Sequence, residues 1–374
     1  MKTRGADETD RRFMREALAQ AESMLGMTSP NPTVGCVLVR AGKVVGRGVT
    51  SAGGRPHGET NALAQAGSRA RGATAYVSLE PCAHHGQTPP CADAIVEAGI
   101  ARVVIGCGDP DPRVHGRGIA ILKRAGIRVT SDVLRDEAAR INEGFFARIA
   151  RGRPLGILKL AMSLDGRIAA EGGDSRWIST EESRAMVHRW RRECDAVMVG
   201  AGTVAADDPR LTCRIEGGRD PVRVVVDANL RTPADAKVYR QRSTAPAIIA
   251  TTQANLAFAK KKYERRGVEA IAIADHGGEI ALDRLMQEFG GRGWSRVLIE
   301  GGARLAASAL RADVVDRVAF FVAPKIMGAG LPAIDGMHLT RIRDAIQLSE
   351  LSARPVGVDW LFEGKVVPAK RRRK

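Results

Sequence analysis

The sequence has few aromatic residues and few cysteines, and it lacks any long apolar run. Phe, Trp and Tyr make up 4% of the chain, which leaves little material for the stacking platforms that bind single-stranded nucleic acids. Six cysteines in 374 residues are too few for a disulfide framework. The sequence contains no apolar run of about 18 residues, so no transmembrane helix is predicted. The first residues lack the apolar segment of a secretory signal. These absences predict a protein of the reducing cytoplasm.

The sequence carries more positive than negative charge. A net charge of +16 would suit a nucleic-acid binder. Five of those charges lie in the run 370–374, and the basic residues of 260–266 are typical of a solvated helix face. A basic enzyme with a phosphorylated small-molecule substrate explains the charge as well. We therefore expect neither a nucleic-acid partner nor a membrane, and the sequence leaves open whether the chain forms a homo-oligomer.

A His-Gly-Glu triplet followed by two cysteines carries the strongest chemical signal. His57, Cys82 and Cys91 supply one imidazole and two thiolates, the ligand number of a catalytic zinc with one open position. Glu59 lies two residues after His57, so both can face one metal only at a helix mouth where His57 is not yet helical. The order H-x-E…P-C…C is typical of zinc deaminases of nucleobases, in which the glutamate moves protons. We predict Zn²⁺ at the three ligands and Glu59 as the catalytic residue.

Three other interpretations stay open at this point. A closed four-ligand zinc site could use His84 or His85 from the loop between the cysteines, although it leaves Glu59 unexplained. A nucleic-acid base deaminase with a basic appended domain would account for the net charge. A zinc protein that only binds or scaffolds would need neither the three-ligand count nor the glutamate.

Helical and strand periodicities alternate along the chain, which predicts an α/β architecture in two domains. We place the boundary in the basic, Gly- and Pro-containing stretch 148–154, which gives a first domain 1–150, a second domain 151–367 and a basic tail 368–374. The first domain is predicted to contain strands at 34–39, 44–49, 73–79, 102–107 and 127–129, with helices at 10–25, 61–66, 92–98, 119–125 and 136–149. The second is predicted to contain strands at 155–162, 196–199, 222–226, 247–250, 268–273, 296–299 and 317–322, with helices at 179–193 and 304–311.

The second half contains weaker signals that involve glycine and charge. Gly301 and Gly302 join a strand to a helix start, where a phosphate could approach the backbone and the helix dipole. The G-x-G-x-x-G fingerprint is absent, so a Rossmann dinucleotide site is not predicted. Lys159 and Asp165 lie near a strand end, and the loop 206–214 carries basic residues. Each segment alone is typical of an ordinary turn.

Taken together, these segments resemble the family of bifunctional riboflavin-biosynthesis deaminase–reductases. The resemblance extends from about residue 10 to residue 363 and rests on the segments 31–35, 57–59, 81–91, 109–110, 116–118, 159–167, 175–179, 203–209 and 300–302. It implies a cytidine-deaminase-like three-layer N-terminal domain and a dihydrofolate-reductase-like C-terminal domain. The eight residues between Cys82 and Cys91 are typical of this family, whereas deaminases of tRNA or free nucleosides usually have two there.

The resemblance implies two consecutive reactions. Zinc-dependent hydrolysis would deaminate 2,5-diamino-6-(5-phosphoribosylamino)pyrimidin-4(3H)-one to 5-amino-6-(5-phosphoribosylamino)uracil, and NADPH would then reduce the ribosyl group to give 5-amino-6-(5-phosphoribitylamino)uracil. It places NADP contacts at Met162, Trp177, Thr203, Asp207, Gly302, Ala303, Arg304, Leu305, Ala306, Ala307 and Ser308. It places reductase-substrate contacts at Ser175, Arg191, Leu211, Arg214 and Glu300.

The resemblance leaves some roles undecided. Arg191 and Arg214 suit a phosphate clamp, and either Lys159 or Asp165 could support the proton balance of the reduction. Gly58 stands where the family usually has alanine, and we expect it to loosen the helix start by about 0.5–1 kcal/mol. Asp111 stands where the family often has asparagine, and a carboxylate cannot donate the hydrogen bond that an amide can.

Overall fold

The computed structural model describes residues 7–86, 89–240 and 243–368. The predicted basic tail, except Pro368, lies outside the described residues, as do residues 87 and 88 of the loop between the cysteines. The chain divides into two compact units, the first ending at Gly152 and the second beginning at Arg153. Within the described ranges, no helix combines the length and the apolar character that a membrane span needs.

The first unit contains a five-stranded sheet with strand order β2-β1-β3-β4-β5. Its strands are β1 (Gly35–Arg40), β2 (Lys43–Val49), β3 (Thr74–Leu79), β4 (Arg102–Cys107) and β5 (Arg128–Thr130). The predicted hairpin is confirmed, since β1 and β2 are antiparallel and pair Arg40 with Lys43 at the turn. β3, β4 and β5 are parallel, so the chain leaves β3 and β4 at the same edge of the sheet. The helices are α1 (Glu8–Ser23), α2 (Gly58–Ala66), α3 (Cys91–Glu97), α4 (Arg117–Arg124), α5 (Arg135–Ile141) and α6 (Glu143–Arg151).

Helices cover both faces of this sheet. A Cβ added at Gly35 would lie 1.9 Å from the Ala17 carbonyl of α1, and one added at Gly48 would lie 2.3 Å from the Ala62 nitrogen of α2. Gly48 pairs with Cys36, the neighbour of Gly35, and side chains alternate along a strand. α1 and α2 therefore lie on opposite faces, and the unit has the predicted three layers.

Glycine allows helix α2 to pack with its backbone directly against the sheet. A Cβ at Gly48 would lie 2.2 Å from the Gly58 carbonyl, and a Cβ at Gly58 would lie 2.3 Å from the Val34 carbonyl. Real side chains do not approach so closely. The expectation that Gly58 only loosens the helix start is therefore incomplete, because Gly58 also permits the close approach that positions the residues on either side of it.

The predicted single helix over 136–149 is wrong. The structure has two helices there, α5 and α6, separated at Asn142. The Asn142 amide oxygen accepts a hydrogen bond from the Thr33 N–H at 2.8 Å, and its amide nitrogen donates to the Thr33 carbonyl at 2.9 Å. This contact with a residue 109 positions earlier ties the break to the segment before β1.

The second unit contains a nine-stranded sheet with order β11-β10-β9-β8-β14-β6-β15-β18-β17. The strands of this unit are β6 (Leu155–Ser163), β7 (Arg167–Ala169), β8 (Ala196–Gly200), β9 (Val222–Val226), β10 (Ala247–Thr251), β11 (Glu269–Ala272), β12 (Asp275–His276), β13 (Glu279–Ile280), β14 (Arg296–Ile299), β15 (Arg317–Ala323), β16 (Leu331–Pro332), β17 (Leu348–Val356) and β18 (Asp359–Val366). The helices are α7 (Glu181–Glu193), α8 (Ala201–Asp207), α9 (Lys237–Arg240), α10 (Leu256–Tyr263), α11 (Leu282–Gly291) and α12 (Ala303–Arg311).

All seven strands predicted for this half are confirmed, and they form the parallel part of the sheet from β11 to β15. The antiparallel pair β17–β18 was not predicted. β17 is exposed along most of its length, so its sequence has no alternation of apolar and polar residues to detect. Parallel strands end at one edge, and in this unit the carboxyl ends of β6, β8, β14 and β15 come together there.

We predict that Gly48→Ala destabilises the first unit by about 2–3 kcal/mol, because the new methyl group collides with the backbone of α2. Gly108→Ala is the matched control, since a Cβ there would meet nothing closer than the Glu80 carboxylate at 3.8 Å. Urea unfolding of both variants measures the difference. A Gly48→Ala protein as stable as the Gly108→Ala protein would contradict the close packing of α2.

Candidate zinc centre and reductase cleft

His57 lies at the mouth of helix α2, as predicted. It is the N-cap residue, with an extended backbone at φ −72° and ψ 160°, and Glu59 is the second residue of the helix. The extended backbone turns the imidazole away from the helical path, so His57 and Glu59 can face the same point despite their spacing. The prediction of a non-helical His57 is confirmed.

The three predicted zinc ligands converge. The His57 Nδ1 atom lies 3.3 Å from the Cys91 sulfur and 3.6 Å from the Cys82 sulfur. Zn–N and Zn–S bonds of ordinary length in a tetrahedral site place nitrogen and sulfur about 3.5 Å apart. The donor atoms of the three residues all lie within 4.8 Å of one another. The spacing and the donor types therefore fit one zinc ion.

Two helix starts and one strand end deliver these ligands. Cys82 follows β3, whereas Cys91 opens α3 and donates its backbone N–H to the Cys82 sulfur at 3.2 Å. Hydrogen bonds from Cys91 and from His57 lower the pKa of Cys82 to about 4. The corner between β3 and Cys82 is anchored by Glu80, whose buried carboxylate accepts the backbone N–H groups of Gly116 and Ile119 at the start of α4.

Glu59 faces the site from within the protein. Its residue is 2% exposed, and its Oε2 atom has no hydrogen-bond partner in the described part of the chain. Burial, followed by the nearby Cys82 thiolate, raises the pKa of Glu59 to about 7. A buried acceptor left unpaired costs free energy, so it indicates a group that the site receives from outside, such as water or substrate.

The alternative of a closed four-ligand site has no support in the described residues. The described metal-type cluster contains His57, Cys82 and Cys91 and neither neighbouring histidine. His85 is exposed, and His84 lines the adjacent cavity of about 200 Å³ together with Glu59. The site therefore keeps the open side that a catalytic zinc needs.

Two aspartates and an arginine line the same cavity. Burial raises the pKa of Asp109 to about 6. Asp111, at one of the two positions that depart from the family pattern, accepts hydrogen bonds from the backbone and the guanidinium of Arg113, at distances down to 2.6 Å. The Asp111 carboxylate is thus paired with the guanidinium of Arg113 in the same turn. Arg113 was not predicted, although its position two residues after Asp111 is typical of an Asx turn.

The second unit contains a cleft of about 550 Å³ at the carboxyl edge of its sheet. The cleft gathers nine of the residues predicted for the reductase, which are Ser175, Trp177, Arg191, Thr203, Asp207, Leu211, Arg214, Glu300 and Gly302. They come from five segments spread over more than 120 residues of sequence, so the fold brings the separate motifs to one place.

The remaining predicted NADP positions do not line this cleft. Met162 packs against the hydrophobic core, and Leu305, Ala306 and Ala307 are buried in the first turns of α12. Arg304 is exposed, Ala303 is buried and Ser308 is half-buried, with its hydroxyl near Glu279. At the helix start, the Gly302 N–H donates to the Thr203 hydroxyl at 3.0 Å. Only the beginning of α12 therefore reaches the cleft.

Arg191 and Glu300 form a buried, bidentate ion pair. The Arg191 Nε and the second guanidinium nitrogen lie 2.6 and 2.8 Å from the two Glu300 oxygens. The same guanidinium lowers the pKa of Glu300 against the effect of burial. Because Glu300 accepts hydrogen bonds from two guanidinium nitrogens of Arg191, these donors are not available for the predicted phosphate clamp. Arg214, by contrast, is exposed in the same cleft.

The structure separates the two residues that the sequence left undecided. Lys159 lines the cleft, and burial lowers the pKa of its ammonium, an effect that Glu300 opposes. The carboxylate of Asp165 instead accepts the backbone N–H groups of Met327 and Gly328 at 3.1 and 2.7 Å. Asp165 therefore holds a loop and does not line the cleft.

Two residues that sequence analysis missed also face the cleft. The Arg184 guanidinium lies 4.4 Å from the centre of the Trp177 ring, which itself is 63% exposed. The His188 Nδ1–H donates to the Thr212 carbonyl at 3.1 Å. Both lie on α7 one turn apart. The helical period predicts that they share one face of the helix, but it does not predict that this face borders the cleft.

Comparisons with known proteins agree with this geometry. A family model for the cytidine and deoxycytidylate deaminase zinc-binding region matches residues 7–107, and a model for the RibD C-terminal domain matches residues 154–362. Riboflavin biosynthesis protein RibD of Aquifex aeolicus is 41% identical over 357 residues, which cover 95% of this chain and 98% of that protein. The corresponding Escherichia coli protein is 38% identical, with 94% and 97% covered.

Solved structures give the same result. Acinetobacter baumannii RibD superimposes with a TM-score of 0.85 at 36% identity, covering 96% of this chain and 99% of that one. The chain belongs to the RibD family. It is therefore a bifunctional enzyme of riboflavin biosynthesis, with a zinc-dependent deaminase domain and an NADPH-dependent reductase domain. The predicted cytidine-deaminase-like and dihydrofolate-reductase-like folds are confirmed, and the family assignment replaces the alternative of a nucleic-acid deaminase.

We predict that Cys82→Ala or Cys91→Ala loses zinc, because two ligands cannot hold the ion tightly. His85→Ala should retain it, since the exposed His85 lies outside the ligand cluster. Elemental analysis of the purified variants gives the zinc content directly. Loss of zinc from the His85→Ala protein would contradict the three-ligand site.

Proposed function

We propose that the first unit hydrolyses the 2-amino group of 2,5-diamino-6-(5-phosphoribosylamino)pyrimidin-4(3H)-one. We propose that the second unit then reduces the product, 5-amino-6-(5-phosphoribosylamino)uracil, to 5-amino-6-(5-phosphoribitylamino)uracil. The observation that carries the proposal is Glu59, a buried carboxylate with an unpaired oxygen beside three zinc-type ligands. A Thermotoga maritima relative with a TM-score of 0.85 is named as a diaminohydroxyphosphoribosylaminopyrimidine deaminase and 5-amino-6-(5-phosphoribosylamino)uracil reductase.

In the deaminase unit, His57, Cys82 and Cys91 would hold the zinc, which supplies Lewis-acid activation of water when bound. Two thiolates cancel the formal charge of the ion, so the attacking water also needs a base. Glu59 takes one proton of that water and delivers it to the ring nitrogen. It then moves the second proton from the new hydroxyl to the amino group, which departs as ammonia. A pKa of about 7 for Glu59, raised by burial, suits a group that accepts and returns a proton near neutral pH.

In the reductase unit, bound NADPH supplies a hydride to C1 of the ribosyl group. Opening of the sugar ring at that carbon leaves an oxygen that needs a proton. Lys159 is the residue that we assign to hold or move this proton, because its ammonium lines the cleft and burial lowers its pKa. Glu300, fixed by Arg191, faces the same space and orients the sugar.

The cleft also divides into cofactor and substrate positions. We assign Trp177, Thr203, Asp207 and Gly302 to NADPH. Met162 and residues 303–308 do not line the cleft, and we assign them to the structure that supports the NADPH-binding residues. We assign Ser175, Leu211, Arg214 and Glu300 to the substrate. Arg214 is the phosphate contact, because it is exposed in the cleft and Arg191 is already paired with Glu300.

The partner that this arrangement fits is a small phosphorylated pyrimidine. Seven basic side chains line the cleft and suit an anionic substrate and an anionic cofactor, namely Lys159, Arg176, Arg184, Arg191, Arg210, Arg214 and Lys237. No disulfide joins the six cysteines, two of which we assign to zinc, and this supports a reducing cytoplasmic location. Nothing in the described residues requires a nucleic acid.

We predict that Glu59→Gln lowers the deamination rate by a factor on the order of 10²–10⁴, because glutamine cannot carry the proton. Zinc should remain bound, since Glu59 is not a ligand. Mass spectrometry of the products formed from the diaminopyrimidine phosphate, with and without NADPH, measures both steps. Reduction of the already deaminated substrate serves as the internal control and should be unchanged. A zinc-loaded variant that deaminates at the wild-type rate would sink the assignment.

We predict that Arg214→Ala raises the KM for the phosphorylated aminouracil by about 10–100-fold, because a charged hydrogen bond to phosphate is lost. The KM for NADPH should stay the same. Arg214→Lys should retain part of the affinity, and Arg266→Ala, an exposed residue outside the cleft, is the matched control. Steady-state kinetics of the reductase step decide. An equal rise in both KM values would remove Arg214 from the phosphate site.

A further inference from the structure

The loops after two neighbouring strands of the reductase sheet are held together by one carboxylate. β6 and β15 are parallel and pair Ser163 with Ala323 at their ends, so both chains leave the sheet at the same edge. The Asp165 carboxylate accepts the Ser163 hydroxyl at 2.6 Å from its own loop and the Gly328 N–H at 2.7 Å from the other. These hydrogen bonds fix the second loop relative to the first.

Backbone and side-chain contacts reinforce the same junction. The Leu164 N–H donates to the Lys325 carbonyl at 2.8 Å, and the Arg167 guanidinium donates to the Gly328 carbonyl at 2.8 Å. Lys325 is itself the first of these attachment points, and its own N–H donates to the Ala323 carbonyl at 2.8 Å. Both polar groups of its backbone are therefore hydrogen-bonded.

The Lys325 ammonium reaches a third segment. Its Nζ atom lies 2.6 Å from the Trp177 carbonyl and 3.0 Å from the Ile178 carbonyl. Both residues line the reductase cleft. A cation shared by two carbonyl oxygens makes charge-assisted hydrogen bonds, which are stronger than those between neutral groups.

The other side of that segment is attached to α8. The Arg176 guanidinium donates to the Asp207 carbonyl at 2.6 Å, and the Ser175 hydroxyl donates to the Asp207 carboxylate at 3.3 Å. Residues 175–178, which we call the Trp177 strap, are thus attached to Asp207 at one end and to Lys325 at the other. The strap carries an exposed indole into the cleft, where Arg184 lies against its ring.

We propose that Lys325, held in place by Asp165, is a positioning residue that fixes the Trp177 strap for NADPH binding. The inference rests on the proposed function, which assigns Trp177 to the cofactor. Lys325 touches neither substrate nor cofactor in this scheme. It acts by keeping the strap in the conformation that NADPH recognises, so that binding does not have to order the strap.

The test measures NADPH affinity in Lys325→Met, which removes the ammonium but keeps the length of the side chain. The Kd for NADPH, followed by fluorescence titration of the full-length protein, should rise about tenfold. The KM for NADPH should rise in parallel, whereas kcat at saturating NADPH and the KM for the phosphorylated substrate should change by less than about twofold. Lys325→Arg should restore most of the affinity.

Two controls separate positioning from general damage. Lys261→Met removes an exposed lysine of α10 that does not line the cleft, and it should leave the Kd unchanged. The deaminase rate of every variant normalises for the amount of protein, and the melting temperature reports on the folding of the unit that carries Lys325. A lower melting temperature with equal losses in all reductase constants would mean that Lys325 is only structural, and it would overturn the proposal.

A second variant tests the chain of contacts from Asp165. Asp165→Asn should also weaken NADPH binding, and the double variant with Lys325→Met should be no weaker than the poorer single variant within about twofold. Multiplicative effects would show that the two residues act separately. Wild-type protein that binds no NADPH overturns the proposed function together with this inference. Wild-type binding with an unchanged Kd in Lys325→Met overturns this inference alone.

Discussion

The deaminase site depends on how closely helix α2 approaches the β1–β2 hairpin. Gly48 and Gly58 bring two backbones to a separation that a single methyl group would prevent. That approach places the N-terminus of α2 beside the end of β3, where Cys82 lies. His57 then meets the cysteines from an extended backbone and Glu59 meets them from the first helical turn. The positions of His57 and Glu59 therefore follow from packing between main chains.

The two sites use buried charge in different ways. In the zinc centre, a carboxylate is buried with one oxygen unpaired, so its pKa rises and it can exchange protons. In the reductase cleft, the Glu300 carboxylate is buried against Arg191, so its pKa falls and it stays charged. The first arrangement suits proton transfer, whereas the second suits a fixed charge that orients a substrate and sets the environment of Lys159.

Attachments between loops organise the reductase cleft in a similar way. Parallel strands place their carboxyl ends at one edge, but the loops that follow have no regular hydrogen bonds of their own. The side chains of Asp165 and Lys325 supply those bonds to backbone groups of neighbouring loops, and the Arg176 guanidinium supplies another to the Asp207 carbonyl. Much of the polar chemistry around the cleft therefore holds loops in place, and a smaller set of side chains is left to face the ligands.

The cluster of His57, Cys82 and Cys91 with Glu59 beside it, the two-domain α/β organisation and most strands were predictable from the sequence, because each depends on spacing within a short segment or on a local hydrophobic period. Other features became visible only in the folded chain. The helix break at Asn142 is accompanied by hydrogen bonds to Thr33, and the Arg191 guanidinium is paired with Glu300. The Asp165 carboxylate binds the backbone of a loop 162 residues away in the sequence. Such polar contacts join residues that are distant in the chain, and a hydrogen bond between them leaves no periodic trace in the sequence. The residues of the zinc motif could be recognised from their spacing in the sequence, whereas the partner of each buried charge could be identified only in the folded chain.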